Sequence, residues 1–464
     1  MLTGAQYLES LADGRAVFFR GERIADITAV GEFDTTLKRF ADVYDRFHDA
    51  GGDAVNPLFA SPRSPEELRE RLDQLHGADM LVHLTYQSFM ALLTAADRLD
   101  EVFPEGSGRI RKYVEDCRRR DVRMVQCITD AKGDRSLSPG AQPDPDQYLR
   151  VVERRPDGVV IRGAKLHITG AAMAHEMMVM PTKRMKPGEE AYAIACGVPV
   201  NAPGVKIVAV SPVAETEPDP RDYPLSWNRA IPEGFVIFDD VFVPNERIFL
   251  EGQINEAAVF AHSLGLWERM GATAGQVNRA EQAAGLAQLI AEANGTHKIS
   301  HINDKINELV LNATLLRAAL DAAMVHASVS KEGVYSPNEL YINAAKVFAA
   351  TGWSTAVRNL QDVAGGSIVT SPSLRDLDND ELNGLLDKYM AGAGESGEYR
   401  MRLFHLIRNL TADGFGGWTN VTTIHAGGGI YAQRYVMRSR FDMEAAKRKA
   451  LQMLPQPAQP IGAQ

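Results

Sequence analysis

The residues best suited to chemistry lie between 128 and 172. Thr129, Asp130, Lys132, Asp134 and Arg135 crowd one short loop, and a Pro/Asp/Ser-rich linker follows. Two strand-like runs, joined by Pro156-Asp157-Gly158, then end at Thr169-Gly170. Small polar residues at this density build poor core, but they can lay amides and hydroxyls along a bound ligand. His167, two positions before Thr169, is placed for function as readily as for structure. Glycine weakens helices, so the clusters at 361–366 (Gly365, Gly366) and 425–429 (Ala426, Gly427, Gly428) stand out in helical sequence. Each reads either as a tight cap or as amides freed to meet a phosphate or a flat ring.

Other motifs exclude chemistries. The run from Gly392 to Gly397 has the dinucleotide-binding glycine spacing, but it follows a helical segment rather than a strand and reads as an inter-helix loop. There is no P-loop. Any reducing equivalents therefore have to be delivered from elsewhere. His297 and His301 sit four apart with Asp304 nearby, without the Glu or third ligand of a zinc helix, and read as solvated or capping. No serine has a Gly-x-Ser-x-Gly setting, and Cys127 has no adjacent histidine.

The elements that must position these residues fall into three blocks. From 1 to 124 the pattern is helical, with apolar periodicity at 37–47 and at 86–102 after the Ser64-Pro65-Glu66-Glu67 start signal, and a small hairpin at 17–27. From 125 to 252, short β-branched runs at 149–154, 159–162, 177–180, 192–198, 205–210 and 235–243 alternate with turn residues. From 253 to 454 the chain is helical again. Ile302, Ile306, Leu309, Val310, Ala313, Leu316 and Leu320 are read as one bundle face. The Pro-rich segment 455–464 is expected to be disordered.

Apolar content of 45%, charged content of 24% and a net charge of −10 describe an ordinary globular chain. No basic run suits nucleic acid or an anionic membrane, and no apolar stretch is long enough to span one. The three cysteines, Cys117, Cys127 and Cys196, match no metal clip or disulfide framework. A cytoplasmic location is expected.

The opening segment 3–28 resembles the 4-hydroxyphenylacetate 3-hydroxylase family, whose large components consume reduced flavin. The loop ITDAKGDR, the hairpin that follows it, the strand FDDVFVPNERIFL, AGGSIVTSPS and the glycine cluster after His425 are similar to 4-hydroxybutyryl-CoA dehydratase, an FAD and iron–sulfur relative. The resemblance runs from about Thr3 to Leu451. It implies an α+β multidomain, acyl-CoA-dehydrogenase-like fold: N-terminal helices, a middle β-domain, a C-terminal four-helix bundle, and a homotetramer binding FAD.

Carried over position by position, the dehydratase's cluster ligands fall at Thr85, Phe89, Glu268 and Gly275. No thiolate remains there, so no iron–sulfur cluster is expected. The hydroxylases' phenol-reading residues fall near Thr85 and Phe89 and at Gln126. The resemblance thus implies a kept cofactor with an altered substrate. The expected activity is that of the oxygenase component of a two-component monooxygenase. Reduced FAD from a separate reductase and O2 would hydroxylate an aromatic or heteroaromatic ring. The alternative is a cluster-free acyl-CoA dehydratase or isomerase. Expected cofactor contacts are Ile128, Thr129, Asp130, Arg135, His167, Ile168, Thr169, Gly365, Gly366, Ala426, Gly427 and Gly428. Expected substrate contacts are Thr85, Phe89 and Gln126. Gln126, Thr169, Glu233 and Glu268 are the expected catalytic groups, with no resident metal.

Overall fold

The computed structural model describes residues 1–49, 55–211, 219–382 and 384–454. The tail expected to be disordered therefore lies outside the described residues.

Capping side chains set several of the helix starts. Helix α1 (Gly4–Ser10) opens on a Thr3/Gln6 capping box, and α2 (Gly31–Phe47) follows the hairpin of β1 (Ala16–Phe19) and β2 (Glu22–Ile24). Ser64 caps a helix of its own, α3 (Pro65–His76). The next helix, α4 (Met80–Leu99), starts separately at Asp79, whose carboxylate accepts the Val82 amide at 2.9 Å. The start signal at 64–67 thus belongs to α3, and α4 begins six residues before the periodic run at 86. Helix α5 (Pro104–Arg119) completes this layer.

Two sheets follow. The larger has the order β2-β1-β9-β10-β6-β4, with β5 also paired to β6. Its further members are β4 (Thr129–Asp130), β5 (Arg150–Arg155), β6 (Gly158–Thr169), β9 (Val205–Val210) and β10 (Glu233–Pro244). The smaller has the order β11-β8-β7-β3, from β3 (Met124–Cys127), β7 (Glu176–Val179), β8 (Ile194–Pro199) and β11 (Ile248–Glu251). Their inner faces share one apolar core, Val151, Ile161 and Phe238 from one sheet meeting Val125, Met177 and Val179 from the other. The 17–27 hairpin joins this layer rather than the helical one, because β1 pairs in parallel with β9. The Pro-Asp-Gly turn links β5 to β6. A Cβ at Gly158 would sit 2.2 Å from the Val243 carbonyl oxygen, so only glycine fits.

A short helix α6 (Ser226–Arg229) precedes β10. Beyond the sheets lie α7 (Ala258–Ala293), α8 (Ser300–Val325) and α9 (Glu339–Ala364), then α10 (Ser367–Thr370), α11 (Leu385–Met390) and α12 (Gly397–Thr411). Apolar residues of α7, α8, α9 and α12 build a four-helix core that includes Ile290, Ile306, Trp353 and Phe404. The α8 stripe is as expected except at Val310, which is 49% exposed. The buried residues Ile302, Ile306, Leu309, Ala313, Leu316 and Leu320 step by three or four, and Val310 lies about 100° off that line. Gly392 and Glu395 exchange two backbone hydrogen bonds in the α11–α12 turn, so the glycine run is a tight connection.

The chain closes with α13 (Gly414–His425), α14 (Ile430–Arg440) and α15 (Met443–Leu451). Helix α4 is locked onto α7 by Trp267, whose indole donates to Thr94 Oγ1 at 2.8 Å and meets Tyr86 edge-on. No helix among the described residues is long and apolar enough to cross a membrane.

Candidate active site

Between Ser263 and Ala280, helix α7 is buried except for one stripe. Glu268, Gly271, Ala272, Gly275, Asn278 and Arg279 are half-exposed, at the i, i+3, i+4, i+7 spacing of a single helix face. A Cβ built on Gly275 would meet nothing within 4 Å, so the stripe borders open space. Four residues earlier, the missing side chain of Gly271 makes room for Gln87 of α4; a Cβ there would lie 2.2 Å from its Nε2. Gln126 of β3 donates from Nε2 to Leu84 O at 3.3 Å and to Gln87 Oε1 at 3.4 Å. Two buried amides therefore line up from sheet to bundle.

Helix α13 ties the sheet end to the bundle. Trp418 donates its indole N–H to Glu233 Oε1 at 3.1 Å, and Thr169 donates its hydroxyl to Glu233 Oε2 at 2.7 Å. Glu233 and Thr169 are cross-strand partners in the β10–β6 ladder. The extra residue of a bulge between Lys165 and Ile168 puts exposed His167 in the left-handed region (φ 60°) next to this pair. Further along α13, the Thr423 carbonyl accepts from Lys346 Nζ at 2.5 Å, and its hydroxyl accepts from Arg279 at 3.1 Å and from Gln276.

Burial raises the Glu268 carboxyl above the ordinary carboxylate range, while the Gly427 amide, Arg269 and Lys346 pull it back only in part. Burial likewise raises Glu233 against the hydrogen bonds from Thr169 and Trp418. Lys346, fully buried, is pushed down to about 8 by desolvation despite Glu268. Arg269 donates from Nε to Gly427 O at 2.9 Å and from Nη1 to Asn343 at 2.8 Å, which fixes the glycine turn over α7. Gly427 is left-handed (φ 75°), and a Cβ there would press to 2.8 Å on Arg269 Cγ.

The expected residues thus divide. Gln126, Thr169, Glu233 and Glu268, with half-buried Ile128 and Thr129, stand on the elements around α7, α13 and the sheet end, and Ala426, Gly427 and Gly428 form the turn beside Glu268. Other positions are taken up by the fold. Thr85 donates to Leu81 O and accepts the Met124 amide, and the Phe89 ring packs edge-on against Phe59. Both are fully buried. Gln87, on another face of α4, lies against Gly271 of α7.

The Asp130 carboxylate is bound to Lys165 at 2.7 Å, the same ammonium group holds the Ile128 carbonyl at 3.0 Å, and the Ile168 side chain is core. Arg135 is solvent-exposed at the loop tip. Gly365 and Gly366 cap the far end of α9, nineteen residues and about 29 Å from Lys346. Sequence reasoning missed Gln87, Lys346 and Trp418. A lysine inside the apolar stripe Ile342-Ala345-Ala349-Trp353 was the available signal.

The three cysteines are buried, and none lies on α4 or α7. Burial pushes the Cys117 and Cys196 thiols up to about 12, and Cys127 rises as well. A thiol reagent at about pH 8 is expected to label none of them in the folded protein and all three in denaturant. Fast labelling of the native protein would show that one of these thiols is reachable. Among the described residues, one trio has metal-ligand spacing, Asp97, Asp100 and Glu332, and Arg111 bridges it at 3.1, 2.7 and 2.7 Å.

The helical entry, the middle β layer and the long-helix bundle define an acyl-CoA-dehydrogenase-like architecture. Residues 3–250 match the family model for the 4-hydroxyphenylacetate 3-hydroxylase N terminal part, and residues 257–454 match that for its C terminal part. The chain belongs to the 4-hydroxyphenylacetate 3-hydroxylase family. It is similar to the 4-hydroxyphenylacetate 3-monooxygenase oxygenase component of Thermus thermophilus (27% identical, 89% of this chain and 89% of that protein). It is equally similar to an FADH(2)-dependent monooxygenase of Burkholderia cepacia (27% identical, 96% of this chain and 90% of that one). The solved 4-hydroxybutyryl-CoA dehydratase of N. maritimus superposes with a TM-score of 0.87 at 26% identity, over 100% of this chain and 97% of that chain.

Proposed function

We propose that this chain is the oxygenase component of a two-component, FAD-dependent monooxygenase that hydroxylates an aromatic or heteroaromatic ring. The observation that carries this reading is the pairing of the family match with a site lacking thiolates. The faces of α4 and α7 that meet here offer amides, glycines and Glu268, which suit a planar organic substrate and leave a dehydratase's cluster without ligands.

The residues present fit a flavin. Ile128, Thr129 and Thr169 present half-buried backbone and hydroxyl at the sheet end, and Trp418 adds a flat ring. The buried Thr419 hydroxyl and Gln433 carbonyl oxygen on α13 and α14 lack partners, as groups awaiting a ligand would. Bound there as reduced FAD, the cofactor supplies the two electrons that activate O2. The protein's own part is positioning and proton handling. Gln87 and Gln126 orient the ring by hydrogen bonds, since an amide cannot take a proton at neutral pH. Glu268 removes a proton from the ring substituent, making the ring electron-rich.

The chain is further proposed to act in the cytoplasm as a homotetramer served by a transient flavin reductase. Supporting assembly, Tyr431 is 84% and Tyr435 65% exposed on α14, and Leu311 is 57% exposed on α8. Gly365 and Gly366, too far from Lys346 to share its cleft, would then meet the cofactor of a neighbouring copy.

Anaerobic titration with reduced FAD, followed by mixing with O2 and a panel of phenols, tests the reading. Tight binding of reduced FAD and oxygen-dependent ring hydroxylation are expected. Anaerobic turnover of a CoA thioester without hydroxylation would decide for the dehydratase or isomerase reading.

A further inference from the structure

Glu233 is held between two donors, and when it is ionised their chemistry fixes where every proton sits. An indole N–H can only donate, so Oε1 must accept from Trp418. An ionised carboxylate has no proton to give, so Oε2 must accept from the Thr169 hydroxyl. That hydroxyl has one proton, and it is committed. Thr169, half-buried at the bulged sheet end, can offer only lone pairs to anything placed beside it.

We propose that the Trp418–Glu233–Thr169 relay makes Thr169 an obligate acceptor, so that the site selects reduced flavin over oxidised flavin. This rests on the proposed placement of Thr169 at the flavin N5. Reduced flavin carries a hydrogen on N5 and can donate to the Thr169 oxygen. Oxidised flavin carries a lone pair there and faces another lone pair. An oxygenase fed by a separate reductase gains from this discrimination, because it takes up the reduced form and releases the oxidised one. Glu233 acts here as a positioning residue and Thr169 as the contact.

Glu233→Gln provides an inverting test. Trp418 still needs an acceptor, so the amide oxygen stays on the indole and the amide nitrogen turns toward Thr169. The amide then donates to the hydroxyl oxygen, and the hydroxyl proton is released outward. Dissociation constants for oxidised and for reduced FAD, the latter under anaerobic conditions, are measured at about pH 8. The comparison covers the native chain, Glu233→Gln and Thr169→Val.

The native protein is expected to favour reduced FAD. Glu233→Gln is expected to move the oxidised-to-reduced ratio by about tenfold or more toward the oxidised form, the size of one hydrogen bond exchanged for a lone-pair contact. Thr169→Val, which keeps shape and loses the hydroxyl, is expected to place the ratio between the two, and it decides alone if the glutamine variant does not fold. Ratios unchanged in the variants would overturn the relay while leaving the flavin site standing. A native protein that binds neither form would overturn the flavin reading itself.

Discussion

Glu268→Gln is expected to lower kcat by about 100- to 10,000-fold, the range a positioned general base supplies, while leaving affinity for reduced FAD unchanged. The substitution keeps the shape of the side chain and its place on the half-exposed face of α7. It removes only the ability to take a proton. Burial raises the Glu268 carboxyl, with the Gly427 amide, Arg269 and Lys346 opposing, which brings it closer to the working pH, where a base is most effective. The sign of the pH dependence follows. Activity needs the ionised form, so it falls as pH drops through the raised value, at a higher pH than an ordinary carboxylate would allow. The glutamine variant lacks that limb.

Linkage gives a second sign. The folded protein holds this proton more tightly than the unfolded chain, so the group's contribution to stability falls as pH rises from the ordinary glutamate value through the raised one. Keeping the base ionised therefore costs folding stability. Steady-state rates with a phenolic substrate across pH check the first statement, and denaturant unfolding of both proteins across pH checks the second. A variant that keeps kcat within about threefold of the native value would move the base to Glu233.

Much of the architecture is legible because local signals agree with the global fold. Pro156-Asp157-Gly158 marks the β5–β6 turn, and Ser64 marks a helix start, though of α3 and not of the periodic run at 86–102. What periodicity misses is pairing over distance. The 17–27 hairpin looks local, but its sheet partner is β9, nearly 190 residues on. The site shows the same division. Thr169 stands out from its own motif, whereas Gln126, Glu233 and Glu268 are candidates only through the family resemblance. Thr85 and Phe89 face the core, and aligned positions on a helix do not say which side a residue faces. Gln87, two residues from Thr85, lies about 200° round the helix from it. Asp130 looks like a ligand residue in a polar loop, but its partner is Lys165 on a strand 35 residues away. A buried ion pair leaves no periodic trace in either segment.

That pair yields the largest expected stability effect. Lys165→Met is expected to destabilise the fold by about 3–5 kcal/mol and to weaken flavin binding with it. The Lys165 side chain is 1% exposed and that of Asp130 is 3% exposed. The ammonium group has three hydrogens and three acceptors: Asp130 Oδ1 at 2.7 Å, Met180 O at 2.9 Å and Ile128 O at 3.0 Å. Asp130 in turn accepts the Leu149 amide at 3.2 Å and the Thr182 hydroxyl at 3.3 Å. One side chain of β6 thus ties down the loop at 128–130, the end of β7 and the start of β5. Methionine fills similar volume and restores none of these bonds. It leaves a carboxylate and two carbonyls buried without their main donor, and this uncompensated charge dominates the cost.

The ion pair and its parts have separable effects. Lys165→Met combined with Asp130→Leu removes both charges, and is expected to recover most of the loss, giving a non-additive cycle. Denaturant unfolding of the four proteins measures this. A single variant within about 1 kcal/mol of native would mean that water reaches the pair and that the loop is held by its backbone alone. Flavin affinity should follow stability of the 128–130 loop: weakened in the single variant, because Ile128 and Thr129 lose their anchor, and only partly restored in the double variant, because the Ile128 and Met180 carbonyls still lack the lysine.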